Sequence, residues 1–527
     1  MADPQPVPPR RTARGAATVL TVLAVLVVWS ALLIPDRLDR LAPAAFLRIP
    51  AEGLILVALA IVLPPLPRRI LAVTAGVLLG LLTVLKVLNA GFFEELRRPF
   101  DPVSDWRQLG PAVGVLQDSV GPAGAVAAAV GALLLIVALP VVVTVSVNRI
   151  TRVAASHRAG SARVSAAFGT AWVLSAVLGL AAAPGVPVAS VGAAAFASHE
   201  AAAIGGSVRD LALFRGELSA TDRYGRTPST DLLRGLAGKD VLLVFVESYG
   251  QVAVQGSSFA PGVDAALDRD TRALKAAGFA SRSAFLTSPT FGGVSWLAHS
   301  TLQSGVWVPD QQRYDQLLAS RRTTLTSAFS RAGWQTVSDV PSDTRPWPQG
   351  ARFYGFDRLY GAGDVGYAGP RFSYARIPDQ YTLAAFQRRE LQPHHAPVMA
   401  EIDLVSSHTP WTPLPRVVDW DAVGDGSVYD GMPGQGLTPD VAWRDPERVR
   451  ALYAQSIRYS IDVLTEFVAR SHDPDLVVVM LGDHPPARIV SGPRATHAVP
   501  VSILASDPAV LDRISSWGWT DGLRPGP

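Results

Sequence analysis

The sequence contains no cysteine, and few of its 527 residues are charged. The absence of cysteine excludes disulfides, thiolate nucleophiles, cysteine-ligated metals and any catalytic group made from cysteine. Charged residues make up 17% of the chain, against roughly 25% in an ordinary soluble domain. The net charge is only +3 and the basic residues form no block, so a nucleic-acid partner is excluded.

Hydrophobic residues are abundant, at 49% of the chain, and they cluster in long runs near its start. Five runs have about the length of a membrane span, at residues 16–34, 50–66, 70–90, 121–147 and 165–183. Because further runs follow the first one, a membrane anchor is favoured over a cleaved signal peptide. Lys86 lies near the end of the third run and is expected to extend to the membrane interface. Residues 1–184 are therefore predicted to form a membrane domain of five helices.

The distribution of arginine predicts how this domain is oriented. Nine arginines lie in the loops on one side of the five spans, against six on the other side, where acidic residues accompany them. The side with nine arginines is expected to face the cytoplasm. With five spans, everything after residue 184 then lies outside the cytoplasmic membrane, and eight of the nine histidines occur there.

The remainder of the chain has a different residue composition and a different pattern of hydrophobic residues. Residues 185–238 are small and polar, which predicts a juxtamembrane linker with short helical pieces. From 239 to 510 strand and helix patterns alternate, with strands at 240–246, 397–404 and 476–481 and helices at 265–277, 324–332 and 448–471. This alternation predicts an α/β domain with a mostly parallel sheet covered by helices on both faces. Residues 511–527 form a predicted tail, and the Pro- and Gly-rich segment 412–445 is expected to be a surface lid or substrate loop.

Three of the predicted strands end in polar residues. Glu247 follows the first strand, His408 the second, and Asp483 and His484 the third. Because ligands bind at the carboxyl ends of parallel strands, these side chains are expected to meet. Two carboxylates and an imidazole suit a divalent cation such as Mn, Mg or Zn. The alternative is that the acids cap helices and His484 packs in a turn.

The segment 288–305 offers a nucleophile. Gly292 and Gly293 allow a ligand to approach the backbone closely, and Ser295 begins a predicted helix that runs through about Gln303. Free N–H groups at a helix start favour an anion, but a serine there is most often just an N-cap. From these local features alone the cap interpretation is favoured. The same loop contains three rival hydroxyls, on Thr287, Ser288 and Thr290.

Together these features resemble a known superfamily. The membrane anchor, the strand ending in VESYG, the Gly-Gly-x-Ser segment and the GDHPP motif are similar to the alkaline phosphatase and sulfatase superfamily. Within it, the resemblance is to the membrane-bound lipoteichoic acid synthases, phosphoglycerol transferases and phosphoethanolamine transferases. In architecture it covers nearly the whole chain. Its sharp motifs are confined to Glu247, the 288–305 segment, the His408 loop and the stretch from Asp483 to His497.

The resemblance implies roles for individual residues. Glu247, Asp483 and His484 would hold a metal that also contacts the nucleophile, Ser295. The family histidine that contacts the substrate phosphate or a second metal matches His408 in SSHTPW. His497 matches a further histidine of the phosphoethanolamine branch.

The sequence departs from the family pattern at three points. The transferases usually have a threonine nucleophile, whereas this chain has Val294 followed by Ser295. Two arginines, Arg345 and Arg352, compete for the role of the phosphate-binding arginine. Strict sulfatases carry x-Pro-x-Arg after the nucleophile, but Trp-Leu-Ala-His follows here, which disfavours sulfate ester hydrolysis. His299, the last of those four, lies one helical turn after Ser295; helix packing is its favoured role, and contact with the site is the alternative.

The predicted function follows from the anchor and the site. A membrane-held enzyme outside the cell has no ATP supply, so a phospholipid headgroup is the expected donor of a phosphoglycerol-like or phosphoethanolamine-like unit. The expected acceptor is a cell-envelope glycan or lipid. One divalent ion (Mn, Zn or Mg) is expected as cofactor, a second is left open, and no nucleotide cofactor is expected.

Two rival functions stay open at this point. One is a phosphodiesterase or phosphatase on the same site, with water as acceptor. The other is a catalytically inactive scaffold that binds an envelope polymer. A transporter is disfavoured because the predicted spans contain almost no ionisable residues.

Overall fold

The computed structural model describes residues 11–220, 222 and 224–526. Residues 1–10, 221, 223 and 527 lie outside the described part of the chain, including Arg10 of the orientation argument and the ends of the predicted membrane domain and tail. The chain divides into two compact units. The first comprises Met1–Glu94, Arg98–Val103 and Ala123–Val208; the second comprises Glu95–Arg97, Ser104–Pro122 and Arg209–Pro527.

The first part of the chain is helical. Its helices are α1 (Arg11–Leu33), α2 (Ala51–Val62), α3 (Pro65–Leu96), α4 (Leu109–Ser156), α5 (Arg158–Leu178) and α6 (Gly192–Ser219). Short strand pairs accompany them: β1 (Ile49–Pro50) with β4 (Ala189–Ser190), and β2 (Ala181–Ala183) with β3 (Val186–Pro187). The Ala-rich linker range thus holds the long helix α6 instead of the short pieces expected, since alanine has the highest helix propensity.

Four helical stretches of the described chain, not five, are long and apolar enough to cross a membrane. They are Gly15–Leu33, Pro65–Leu96, Gly121–Ser156 and Arg158–Leu178. The predicted span at 50–66 is wrong, because Pro64 and Pro65 end α2 after 12 residues. A helix of that length rises about 18 Å, against the roughly 30 Å of a hydrocarbon core. The span predicted at 165–183 also ends earlier, at Leu178, where left-handed Gly179 closes α5.

Lys86 is buried, and its ammonium group contacts the end of α1. Its side chain is 3% exposed, and Nζ donates to the carbonyl oxygens of Ala31 and Leu32, 3.3 Å from each. These carbonyls belong to the last turn of α1, where no intrahelical donor is available. The ammonium group of Lys86 therefore caps the end of a neighbouring helix.

The second unit is built on an eight-stranded sheet in the order β12-β6-β11-β10-β5-β9-β7-β8. Its strands are β5 (Asp240–Val246), β6 (Ala280–Thr287), β7 (Gln335–Asp339), β8 (Arg358–Tyr360), β9 (Val398–Leu404), β10 (Leu476–Gly482), β11 (Ala498–Ala505) and β12 (Thr520–Asp521). Strands β10, β5, β9, β7 and β8 are parallel, whereas β11, β6 and β12 extend the sheet in antiparallel pairs. The range predicted as a tail thus contributes an edge strand.

Helices cover both faces of this sheet. They are α7 (Ala260–Ala276), α8 (Ser295–Ser304), α9 (Gln311–Leu318), α10 (Leu325–Arg331), α11 (Pro348–Tyr354), α12 (Asp379–Glu390), α13 (Pro439–Ala442), α14 (Pro446–Ser471), α15 (Arg488–Ser491) and α16 (Pro508–Asp512). Alternate residues of β5 face opposite cores: Leu242 packs with the α7 and α14 side, and Leu243 with the α10 and α16 side. A fully buried strand of this kind explains the continuous apolar run DVLLVFV.

The segment 412–445 is not a free surface loop. Val423 and Tyr429 are fully buried in the α14-side core. Gln380 fixes the segment by donating to Val418 O at 2.7 Å and accepting from Tyr429 Oη at 3.0 Å. The expectation of a surface lid overlooked these apolar side chains among the prolines and glycines.

Candidate active site

Glu247, Asp483 and His484 meet at the carboxyl edge of the sheet. Strands β5 and β10 are adjacent and in register up to Val246 and Gly482, so the next residues leave the sheet side by side. His484 Nε2 lies 3.3 Å from Glu247 Oε1 and 3.5 Å from Asp483 Oδ2. All three residues are buried. We name these three residues the edge cluster.

Backbone and hydroxyl groups orient the edge cluster. Asp483 Oδ1 accepts from the N–H groups of Ser248 and His484 at 2.7 and 2.6 Å, and Glu247 Oε1 accepts from Ser248 Oγ at 2.8 Å. His484 Nδ1 lies 3.0 Å from Pro485 O. Because that carbonyl only accepts, the proton belongs on Nδ1 and the lone pair of Nε2 faces the carboxylates. The cluster has the preorganisation that metal ligands receive from outer partners.

Ser295 is the first residue of α8 and reaches the edge cluster. Its Oγ is 3.1 Å from Glu247 Oε2 and 3.2 Å from His484 Nε2. The preceding residue, Val294, has φ +60°, a left-handed conformation that is strained for a β-branched side chain. Before it, a Cβ on Gly292 would lie 1.8 Å from Glu95 O, so only glycine fits. A tightly constrained turn thus delivers the hydroxyl.

The rival hydroxyls of the loop lie elsewhere. Ser288 Oγ donates to the backbone oxygen of Asp483 at 2.6 Å and lies 3.5 Å from Thr290 Oγ1. Thr287 is the last residue of β6, where its backbone pairs with that of Ala498. Of the four hydroxyls considered for the nucleophile, Ser295 is the one that the described structure hydrogen-bonds to a carboxylate of the edge cluster.

The edge cluster fits a divalent cation. Its three ligand atoms lie within 4.8 Å of one another, and two carboxylates, a neutral imidazole nitrogen and a hydroxyl are donors that Zn or Mn accepts. Burial opposes the charge of Glu247, but the positive charge that His484 and His408 carry when protonated lowers the pKa of Glu247 to about 2. Burial and the nearby Glu247 raise the pKa of Asp483 to about 6. The two acids compete for ionisation, and a cation would remove that competition.

The four predicted substrate-binding residues have different positions. The ring of His408 stacks on Tyr374 with centroids 3.6 Å apart, and its charge is coupled to Glu247; burial lowers the pKa of His408, which keeps it neutral. His497 Nδ1 lies 3.2 Å from Ser288 O, in the loop before α8. Arg345 and Arg352 are exposed. No hydrogen bond or ion pair within the described chain joins His497 or either arginine to the edge cluster.

Sequence reasoning missed several residues of the site. Ser248 binds both acids, and Ser407 Oγ donates to Glu247 O at 2.6 Å. It also missed a second group of ligand-type side chains, His299, Glu401 and Asp403. The signal was present in strand β9, where VMAEIDL places two acids two residues apart in an otherwise apolar run. The prediction that His299 packs in a helix did not include its ion pairs with Glu401 and Asp403.

Fold and site together define a class of protein. It has apolar helices of membrane-spanning length and an α/β unit that presents carboxylates, an imidazole and a serine hydroxyl at the carboxyl edge of its sheet. No protein-family model matches the chain, and no curated protein matches it.

Solved structures similar to this chain include a synthase and two transferases. The integral membrane protein lipooligosaccharide phosphoethanolamine transferase A (EptA) from Neisseria meningitidis has 11% identity and a TM-score of 0.43, with 93% of this chain and 88% of that chain covered. The lipoteichoic acid synthase LtaP from Listeria monocytogenes has 14% identity and a TM-score of 0.35, with 56% of this chain and 71% of that chain covered. The Streptococcus pyogenes phosphoglycerol transferase GacH has 12% identity and a TM-score of 0.34, with 55% of this chain and 74% of that chain covered. These are the kinds of protein that the motifs resemble; the function proposed below rests on this chain's own side chains.

Proposed function

We propose that this chain is a membrane-anchored, metal-dependent phosphotransferase. It would move a phosphoglycerol-like or phosphoethanolamine-like headgroup from a phospholipid to an envelope glycan or lipid, through a covalent intermediate on Ser295. The observation that carries the proposal is the position of Ser295 Oγ, 3.1 Å from Glu247 Oε2 and 3.2 Å from His484 Nε2. The cap interpretation favoured by the local sequence is wrong, because Val294 is the N-cap of α8 and Ser295 is its first helical residue.

The site supplies each part of a double displacement. A divalent cation held by Glu247, Asp483 and His484 would lower the pKa of the Ser295 hydroxyl and neutralise charge on the phosphoryl oxygens. Ser295 Oγ attacks phosphorus, the phosphorus–oxygen bond to diacylglycerol breaks, and the leaving oxygen takes a proton. An acceptor hydroxyl then displaces Ser295. Free N–H groups at the start of α8 face the region where negative charge develops.

His408 is proposed to contact the substrate phosphate. Its Nδ1 lies 2.6 Å from the carbonyl oxygen of Thr409, which places the proton on Nδ1 and leaves Nε2 as an acceptor. A neutral imidazole of this kind can accept a proton from the incoming acceptor hydroxyl. His497, Arg345 and Arg352 stay predictions for substrate binding, since their side chains lie apart from the edge cluster.

A release assay tests the proposed function. Full-length protein is reconstituted in vesicles of phosphatidylglycerol or phosphatidylethanolamine with Mn or Zn, and diacylglycerol is measured. We expect release that stops in Ser295→Ala, while Thr290→Val, the matched hydroxyl variant of the same loop, retains it. Absence of release from both lipids with either metal would contradict the proposal. Headgroup phosphate appearing free in solution, with none on an added acceptor glycan, would make the enzyme a hydrolase.

We also propose that the α/β unit lies outside the cytoplasmic membrane. The support is an arginine count made for the four helices of spanning length. Nine arginines then lie on the side opposite the α/β unit, at 37, 40, 48, 68, 69, 149, 152, 158 and 163, against six on its own side, and the side with more arginine is expected to face the cytoplasm. The cysteine-free sequence allows a clean test with single cysteines. Ser515→Cys, at an exposed position of the α/β unit, should react with an impermeant maleimide in intact cells. Ala159→Cys, in the first turn of α5, should react only after lysis, and the reverse result would contradict this placement.

A further inference from the structure

A second group of metal-ligand side chains lies beneath α8. His299 follows Ser295 by four residues, so both project from one face of the helix. Glu401 and Asp403 lie two apart on β9 and share a face of the sheet. His299 Nδ1 is 3.3 Å from Glu401 Oε1 and 3.7 Å from Asp403 Oδ1, and the three ligand atoms lie within 4.8 Å of one another. We name these three residues the inner cluster.

Part of the inner cluster is accounted for by ordinary packing. The ring of His299 stacks on Phe245 with centroids 3.8 Å apart and an angle of 17°. Glu401 Oε2 accepts from Gln303 Nε2. Stacking on Phe245 therefore accounts for the position of the His299 ring. The ion pair with His299 and the hydrogen bond from Gln303 account for the burial of the Glu401 carboxylate.

The other carboxylate is only partly accounted for, by its ion pair with His299 Nδ1 at 3.7 Å. Asp403 Oδ1 and His299 Nε2 are shielded from solvent and have no hydrogen-bond partner among the described residues, and His299 is only 9% exposed. A shielded polar atom without a hydrogen bond is unfavourable. When both acids are ionised, one imidazolium leaves one negative charge without compensation.

We propose that His299, Glu401 and Asp403 bind a second divalent cation, distinct from the one held by the edge cluster. One imidazole nitrogen and two carboxylates form a donor set suited to Zn or Mn. The cation would take the place of the proton on His299 Nδ1 and give Asp403 Oδ1 a partner. Asp343, an exposed carboxylate, interacts with the charge of His299. This site does not depend on the proposed transfer reaction.

Metal content tests the proposal without an activity assay. Full-length protein in detergent is stripped with a chelator, reloaded with Mn or Zn alone, and analysed by mass spectrometry for metal per chain. We expect two equivalents in the wild type and one in His299→Gln, Asp403→Asn or the near-isosteric Glu401→Gln. His484→Gln should also retain one, at the inner cluster. His395→Gln is the matched control, because His395 Nε2 pairs with Asp240 at 2.8 Å without a third ligand, and it should keep both equivalents.

The stoichiometries separate the two sites. One equivalent in the wild type that is unchanged in His299→Gln and lost in His484→Gln would overturn the second site and leave the edge cluster intact. Loss of one equivalent in His299→Gln with none lost in His484→Gln would support the second site and contradict the metal role of the edge cluster. Each variant is compared by thermal unfolding of its metal-free form, so that Glu401→Gln replaces any inner-cluster variant that fails to fold.

Discussion

The edge cluster and the inner cluster contain the same kinds of side chain in different surroundings. Each has two carboxylates and one imidazole within 4.8 Å. In the edge cluster, backbone N–H groups and Ser248 hold one oxygen of each acid, and Ser295 brings a hydroxyl to the rest. In the inner cluster, Phe245 covers the imidazole and shielded polar atoms lack partners. This difference supports the two proposals, that chemistry takes place at the edge cluster and that the inner cluster holds a bound charge.

Helix α8 connects the two environments. Ser295 in its first turn faces the edge cluster, and His299 in the next turn faces the inner one. Asp483 interacts electrostatically with both His299 and Asp403. A change of charge at one cluster should therefore shift the pKa values at the other. Only the edge cluster is expected to take part in bond formation.

The largest expected effect separates the clusters by reaction chemistry. Asp483→Asn or His484→Gln should lower headgroup transfer by about 10²-fold or more, because even outer partners of metal ligands are worth that much. Asp403→Asn should lower it much less, since the hydrogen bonds of the Ser295 hydroxyl in the described structure go to Glu247 and His484 and not to the inner cluster. Initial rates on phospholipid vesicles check this, with metal per chain measured in parallel. An equal loss of headgroup transfer in the edge-cluster and inner-cluster variants would contradict the division of roles between the two clusters.

A buried acid away from both clusters provides the next test. Asp339 has a shielded Oδ1 without a partner and no imidazole beside it, and burial raises the pKa of Asp339 to about 7. Since the folded state binds this proton more tightly than the unfolded state, its stabilising effect is complete below pH 3.8 and lost as pH rises through 7. The shift corresponds to about 4 kcal/mol.

Asp339→Asn should therefore be more stable than wild type above pH 7 and show a flatter pH profile between 4 and 7. The free energy of unfolding of both proteins is measured at several pH values, with the full chain in detergent and tryptophan fluorescence as the signal. Added metal should not change the difference, which distinguishes Asp339 from Asp403. An identical pH profile in wild type and variant would contradict the assignment.

The sequence predicted the edge cluster because its members follow strands. Glu247, Asp483 and His484 stand directly after apolar runs, and parallel strands bring such positions together whatever their separation. Ser295 needed the family resemblance, since a cap serine has the same local pattern. The inner cluster was missed because two of its members lie within a strand and His299 is far from them in sequence. Hydropathy alone also misjudged the run at 50–66, where two prolines decide the helix length.

The smallest expected effect concerns the entry to α8. Val294 at φ +60° stores strain of about 1–3 kcal/mol, and glycine would release it at an entropic cost of about 0.5–1 kcal/mol. Val294→Gly should raise the free energy of unfolding by about 1 kcal/mol, with Val294→Ala intermediate. Denaturant unfolding of the full chain in detergent measures both. Destabilisation by the glycine variant would show that packing of the valine outweighs its strain.

The most direct test of the account is to locate the covalent intermediate. Full-length protein loaded with Mn or Zn is exposed to phosphatidylglycerol or phosphatidylethanolamine vesicles, quenched in acid, digested and analysed by mass spectrometry. The account predicts a phosphoryl headgroup adduct on Ser295, absent from Ser295→Ala and from His484→Gln. An adduct on Thr290 or Ser288, or turnover of lipid with no adduct on any hydroxyl of the segment 288–305, would contradict it.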